Sequence, residues 1–166
     1  QALAAGELDF LHALGGTSAI IAASNGVGLK ITNIYSRSPK GYMLITNNDN
    51  IKSIKDLKGK KIVGPKGTIL HQLLIAALAK EGYTIDDVEY VNMDIPSAAS
   101  ALESKSADVA MLAGPVALKT INSGAKMIVN GEGLVSGIIV TAVSDDFAEK
   151  YPELVKRFTY STSSIV

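Results

Sequence analysis

Two short segments carry the residue types most suited to chemistry: Gly15-Gly16-Thr17-Ser18 and Gly64-Pro65-Lys66-Gly67-Thr68. Each follows a short apolar run and leads into an apolar helical stretch, Ala19 to Ser24 and Ile69 to Ala79. The first amides of a helix have no intrahelical acceptor and carry the positive end of its dipole. Preceding glycine lets a small anion come close to them. Two such starts, Gly16, Thr17 and Ser18 on one unit and Gly67 and Thr68 on another, could grip one anionic ligand from both sides. The chemistry expected is clamping rather than bond making.

Other residues extend that set. Gly114-Pro115 follows an apolar run at 108–112, and ligands collect outside the carboxyl ends of strands in open α/β sheets. Arg37 and Ser38 follow the run Leu29–Tyr35, where an arginine fork could hold an anion. His71 falls on the first turn of the helix that Thr68 begins, and His12 near the end of the first strand. Asp94 follows Val88–Met93 and could select a cationic or hydroxyl group. Each has a plainer reading: a hydroxyl cap, a Pro-initiated helix, a solvated arginine, a structural histidine. With no cysteine and two histidines, no metal-ligand spacing is visible, so no metal and no cofactor are expected.

The elements that must position these residues have a core to draw on. Hydrophobic residues make up 47% of the 166, and charged residues 19%. Lys+Arg and Asp+Glu both count 16, so no basic excess exists to hold a phosphate backbone, which argues against a nucleic-acid protein. Aromatic content of 5% without Trp disfavours stacking cages for sugars or quaternary amines. The longest apolar stretches, such as Leu134 to Val143, fall well short of the ~20 residues a membrane span needs. No signal peptide is visible, and the helix-like opening from Gln1 looks like a processed or truncated product.

Along the chain, Gln1–Ala5 reads as a helix tail closed by Gly6, Leu8–Ala13 as a buried strand, and Thr17 as the cap of a helix ending near Asn25-Gly26. Strands follow at Leu29–Tyr35 and Tyr42–Thr46, then a helical turn at Ser53–Leu57. From there strands at 61–63, 88–93, 108–112, 126–129 and 138–143 alternate with helices at 68–81, 97–104 and 115–123. A helical turn at 145–150 and a helix opened by Pro152 end the pattern. This alternation predicts an α/β fold with largely parallel pairing.

Ala-Leu-Ala-Ala-Gly-Glu-Leu-Asp-Phe at 2–10, Ile-Lys-Asp-Leu-Lys-Gly-Lys-Lys-Ile-Val at 54–63, Gly67-Thr68 before a long helix, and Ala-Leu-Glu-Ser-Lys-Ser-Ala-Asp-Val-Ala at 101–110 carry a family resemblance. The chain resembles ABC-transporter substrate-binding proteins of the nitrate/sulfonate/taurine type, with a two-lobe periplasmic-binding fold of type II. The resemblance implies a fragment: lobe one incomplete, represented by 1–45 and 139–166, and lobe two whole at 46–138. Tyr160 to Val166 do not continue the amphipathic helix expected of the family. It implies a non-enzymatic protein that closes on a sulfonate, nitrate or small organic acid, with strands near 42–46 and 138–143 as the hinge. An ABC permease in the membrane would be its partner, with Lys52–Lys61 as a solvated turn able to touch it. A periplasmic or extracellular location with membrane anchoring, as in a lipoprotein, is implied as well. An exposed lobe-one edge would favour self-association. Two alternatives stand beside this: an enzyme on the same fold, of pyrimidine-precursor or menaquinone-pathway type, and a sensory ligand-binding domain.

Overall fold

A computed structural model describes residues 5–163, with the side chains of 162 and 163 left out of the account. The elements run β1 (Phe10–Gly15), α1 (Gly16–Ser24), β2 (Leu29–Arg37), β3 (Tyr42–Thr46), β4 (Lys61–Gly64), α2 (Ile69–Lys80), β5 (Glu89–Asn92), α3 (Ile95–Glu103), β6 (Val109–Ala113), α4 (Gly114–Asn122), β7 (Lys126–Asn130), β8 (Ile138–Ser144), α5 (Asp145–Lys150) and α6 (Pro152–Ser163). The helix expected over 1–5 falls almost wholly outside the described residues. The last helix continues through Tyr160 to Ser163, against the expectation that it stops there.

The chain divides into two compact units, one of Gln1–Arg37 with Ile138–Val166 and one of Ser38–Gly137. The crossings therefore fall at 37/38 and 137/138, not at 45/46 and 138/139. The reason is pairing: β3 lies between β6 and β7 and makes ladders with both, which binds 42–46 to the second unit. β3 and β8 each lie wholly inside one unit, so neither strand is itself a crossing segment. A backbone bond from Ser38 N–H to the Gly137 carbonyl (3.1 Å) ties the two ends of the second unit together.

In the second unit the described strands form one sheet in the order β5-β4-β6-β3-β7. β4 pairs in parallel with β5 and β6, whereas β3 is antiparallel to both its neighbours. Four strands thus share one direction and β3 alone opposes them. Each of those four is joined to the next through α2, α3 or α4, and a helical crossover returns the chain to a parallel position. β3 arrives directly from the other unit, with no crossover to set its direction.

Helices cover both faces of this sheet. Leu44, Ile62, Leu70, Leu73, Leu74, Leu78, Val109 and Met111 build one core cluster. Ile45, Val63, Ala98, Leu102, Ala110, Leu112 and Ala117 build another. Two-sided burial explains why these strands read as continuous apolar runs. The Ser53–Lys58 stretch is an anchored turn: Leu57 is fully buried, and Asp56 accepts the Lys52 and Ser53 amides at 3.0 and 2.9 Å. Its lysines face solvent, with Lys55 near Glu81 and Lys58 near Asp87.

The first unit is a three-stranded sheet in the order β1-β8-β2, antiparallel throughout. The expectation of largely parallel pairing thus fails here, and in the second unit holds only among β5, β4 and β6. Nor is β1 a buried strand, since His12 and Ala13 are exposed. His12 sits mid-strand, with its Nδ1 3.2 Å from the Thr141 hydroxyl. On that face Phe10 packs against Phe147 and Phe158 at ring separations of 5.2 and 4.5 Å, and His12 meets Tyr35 edge-on. The register sets Leu11, Leu14, Ile31 and Ile34 beside Ala142 and Val140 on the opposite face.

Candidate functional site

Parallel neighbours end together. Because β5, β4 and β6 are adjacent and parallel, the segments leaving them share one edge of the second unit's sheet. Those segments carry Asp94, then Gly67, Thr68 and His71, then Gly114 and Pro115. The reversed strand adds to the set. Tyr42 at the start of β3 is opposite Ala113 at the end of β6, so the helical turn Pro39–Gly41 and Ser38 before it reach the same edge.

The turn from β4 into α2 is the most built part of that edge. Gly67 has φ of +71°, a left-handed conformation that glycine adopts without Cβ strain. Thr68 is the N-cap of α2: its hydroxyl accepts from the His71 amide (3.4 Å) and donates to the Pro65 carbonyl (3.0 Å). The Lys66 amide donates to Asn92 Oδ1 (2.8 Å), and the Tyr90 hydroxyl donates to the Gly64 carbonyl (2.8 Å). His71 stacks on Tyr90 at 5.1 Å between ring centroids, and its Nδ1 accepts from the Gly67 amide (3.4 Å). Burial, and next the charge of Lys66, hold the His71 imidazole below its ordinary pKa. Burial pushes the Tyr90 hydroxyl above its own.

The other two helix starts on this edge differ. Asp94 is the N-cap of α3, with Oδ1 accepting from the Ser97 amide at 2.8 Å, and hydrogen bonding from Ser97 lowers its pKa. Its placement after a strand is as expected, but a capping role accounts for it. α4 starts without a side-chain cap hydrogen bond: Ala113 is its N-cap and Pro115 lies in its first turn. An uncapped helix start is where an external anion would find the least competition.

The first unit gathers its own candidates in the same way. β1 and β2 both run against β8, and both Gly15 and Arg37 pair at its beginning, opposite Ile139 and Ile138. Gly16, Thr17, Ser18 and Arg37 therefore lie at one edge of the three-stranded sheet. Two details correct the sequence reading. Gly15, not Thr17, is the N-cap of α1, which has no side-chain cap bond, and Thr17 and Ser18 fall inside the first turn. Gly16 has a packing reason as well, since a Cβ there would lie 3.2 Å from the Ile138 carbonyl. Arg37 is the last residue of β2 rather than part of a loop.

Sequence reasoning missed Tyr90 and Asn92. Neither has a local signal, because each meets its partner across 26 residues of chain through the β4–β5 ladder. Among the described residues no cluster of three or more His, Cys, Asp or Glu could hold a metal ion.

The family described as NMT1/THI5 like matches residues 1–164. The chain belongs to that family. A Bacillus subtilis protein named as an aliphatic sulfonates-binding protein is 34% identical over 161 residues, covering 95% of this chain and 48% of its own length. The taurine-binding periplasmic protein of Escherichia coli is 30% identical over 165 residues, covering 97% of this chain and 51% of its own. Among solved structures, the alkanesulfonate-binding protein SsuA of Xanthomonas axonopodis, bound to MOPS, aligns with a TM-score of 0.88 at 25% identity. That alignment covers 98% of this chain and 57% of the other. The family and the α/β periplasmic-binding fold implied by the sequence motifs are thus shown. The NMT1/THI5-like chain spans about half the length of the curated relatives it matches.

Proposed function

We propose that the chain serves as the solute-binding component of an ABC import system, without catalysis, and takes a small anion such as a sulfonate, nitrate or small organic acid. The observation that carries this reading is the gathering of the α2 and α4 starts, with Ser38, at one edge of the second unit's sheet, the α3 start there being capped by the Asp94 carboxylate. Amide-lined positive ends facing one edge suit an oxyanion better than a cation or a sugar. The names of the relatives, which specify aliphatic sulfonates and taurine, favour a sulfonate within that class. A membrane permease is the partner in this reading, the periplasm the compartment, and attachment to the membrane the means of retention there. Ligand contact by Gly16, Thr17, Ser18, Arg37, Ser38, Gly67, Thr68, Asp94, Gly114 and Pro115 belongs to the same proposal, with the α4 start and the β4–α2 turn as its centre and His71 behind that turn, against Gly67 and Tyr90.

The test is a thermal-shift panel with alkanesulfonates, taurine, nitrate and small carboxylates. A ligand present at about 100 times its dissociation constant stabilises the folded state by about 2.7 kcal/mol. A selective rise with sulfonates supports the reading, and a flat response from folded protein rejects it for this chain. Gly67→Val places a branched residue at a left-handed position and should remove the shift. If affinity in that variant is unchanged, the β4–α2 turn is not the site.

A further inference from the structure

The network behind Gly67 is more elaborate than a helix cap requires. Thr68 already caps α2 through the His71 amide, so the His71 side chain is not needed for that purpose. The side chain instead turns back across the first turn of α2. Its Nδ1 accepts from the Gly67 amide, and its face lies on Tyr90, whose hydroxyl is fixed on the Gly64 carbonyl. One ring thus touches the exit of β4 through Tyr90 and the glycine hinge of the turn through Nδ1. An imidazole accepts at Nδ1 only when that nitrogen is bare, which makes His71 the neutral Nε2–H tautomer. Its surroundings favour the same form: Lys66 lies on the turn, and the one titratable group facing the ring from β5 is Tyr90, uncharged at neutral pH.

We infer that His71 is a positioning residue: through Nδ1, on a ring steadied by Tyr90, it fixes the β4–α2 turn in the one geometry that presents the Thr68 amide and the start of α2 to an anion. This rests on the reading that this edge binds the ligand. His71 acts on the ligand through the turn and not by direct contact. The acceptor at Nδ1 is what counts, so a residue with an acceptor the same number of bonds from Cβ should replace it, and a ring without one should not.

Asparagine meets the first condition, because its Oδ1 stands where Nδ1 does; phenylalanine keeps a ring for Tyr90 but has no acceptor. The experiment compares the whole chain with its H71N and H71F variants, using ethanesulfonate as probe at pH 8 and nitrogen-resolved NMR without ligand. In the unsubstituted chain, the His71 resonances should report an Nε2–H tautomer. The Gly67 amide resonance should move with the titration of His71, at a midpoint below 6.5. That titration should be absent from both variants. H71N should bind ethanesulfonate within about two-fold of the parent, and H71F about ten-fold more weakly, the effect of one lost hydrogen bond on a rigid turn. Equal binding by H71F, or a Gly67 amide indifferent to His71, overturns the proposal. If the unsubstituted chain binds no ethanesulfonate, the sulfonate reading fails separately, and the Gly67 titration alone decides whether His71 holds the turn.

Discussion

The two units of this chain solve the same problem unequally. The second encloses its sheet: apolar clusters flank it on both faces, and Leu44, Ile45, Ile62 and Val63 are fully buried. The first has a three-stranded sheet packed mainly on one side. Its aromatic face rests on α5 and α6, but on the other face α1 contacts β1 and β8 while β2 carries Ile31 and Ile34, each 51% exposed. On α1 itself only Ala19 is buried, and Ile20 is 68% exposed. An apolar side chain stabilises by about 1.5–3 kcal/mol only when it is removed from water. The second unit collects that energy many times over. The first holds several side chains that do not contribute it.

The sharpest way to break this comparison is to separate the units. Residues 38–137, expressed alone, should fold and unfold cooperatively, because both core clusters lie inside that span and its ends are already joined by the Ser38–Gly137 bond. Circular dichroism with urea titration measures this. A non-cooperative transition would mean that the clusters depend on the first unit. Point substitutions then grade the difference. Leu73→Ala, in the heart of the second unit, should cost about 2–5 kcal/mol. Ile34→Ser, on the half-open face of β2, should change stability by less than about 0.5 kcal/mol. The same change should reduce any self-association through the first unit's sheet edges, read by light scattering. If Ile34→Ser costs as much as Leu73→Ala, the first unit is better packed than its exposures imply.

The contrast also governs what could be read from sequence. In the second unit, Tyr42–Thr46 and Lys61–Val63 were legible because two-sided burial writes itself as unbroken apolar runs. The cap at Thr68 was legible for a local reason, a hydroxyl three residues before the amide it accepts. The direction of β3 was not, since a strand's sense depends on which partner it finds across some seventy residues, as Tyr42 finds Ala113. In the first unit the signals misled. Two glycines, a threonine and a serine in sequence offer several capping registers, and the one adopted has Gly15 as the cap and Gly16 packed on Ile138. Of the site, the helix starts were visible and their supports were not. Tyr90 and Asn92 look like ordinary strand residues until the β4–β5 register sets them beside Gly64 and Lys66.

The smallest expected effect concerns acid. Four carboxylates of the second unit are held below their ordinary pKa of 3.8 by specific hydrogen bonds: Asp49 by the Lys126 ammonium, Asp56 chiefly by the Lys52 and Ser53 amides, Asp87 by the Thr84 amide, and Asp94 by Ser97. A carboxyl group with a folded-state pKa below its unfolded one binds protons more readily when unfolded. Its contribution is therefore complete above the unfolded value and is lost as pH falls through the folded one. The second unit should accordingly be level in stability from neutral pH down to the usual carboxylate range and decline below it. Asp87→Asn removes the titrating group from the turn that leads into β5 and should make that decline shallower, with a small loss at pH 7 from the weaker cap. Urea midpoints between pH 2.5 and 7 measure both effects. An unchanged acid slope in the variant would clear Asp87 of the decline and leave it to Asp49, Asp56 and Asp94 or to charge repulsion across the whole molecule.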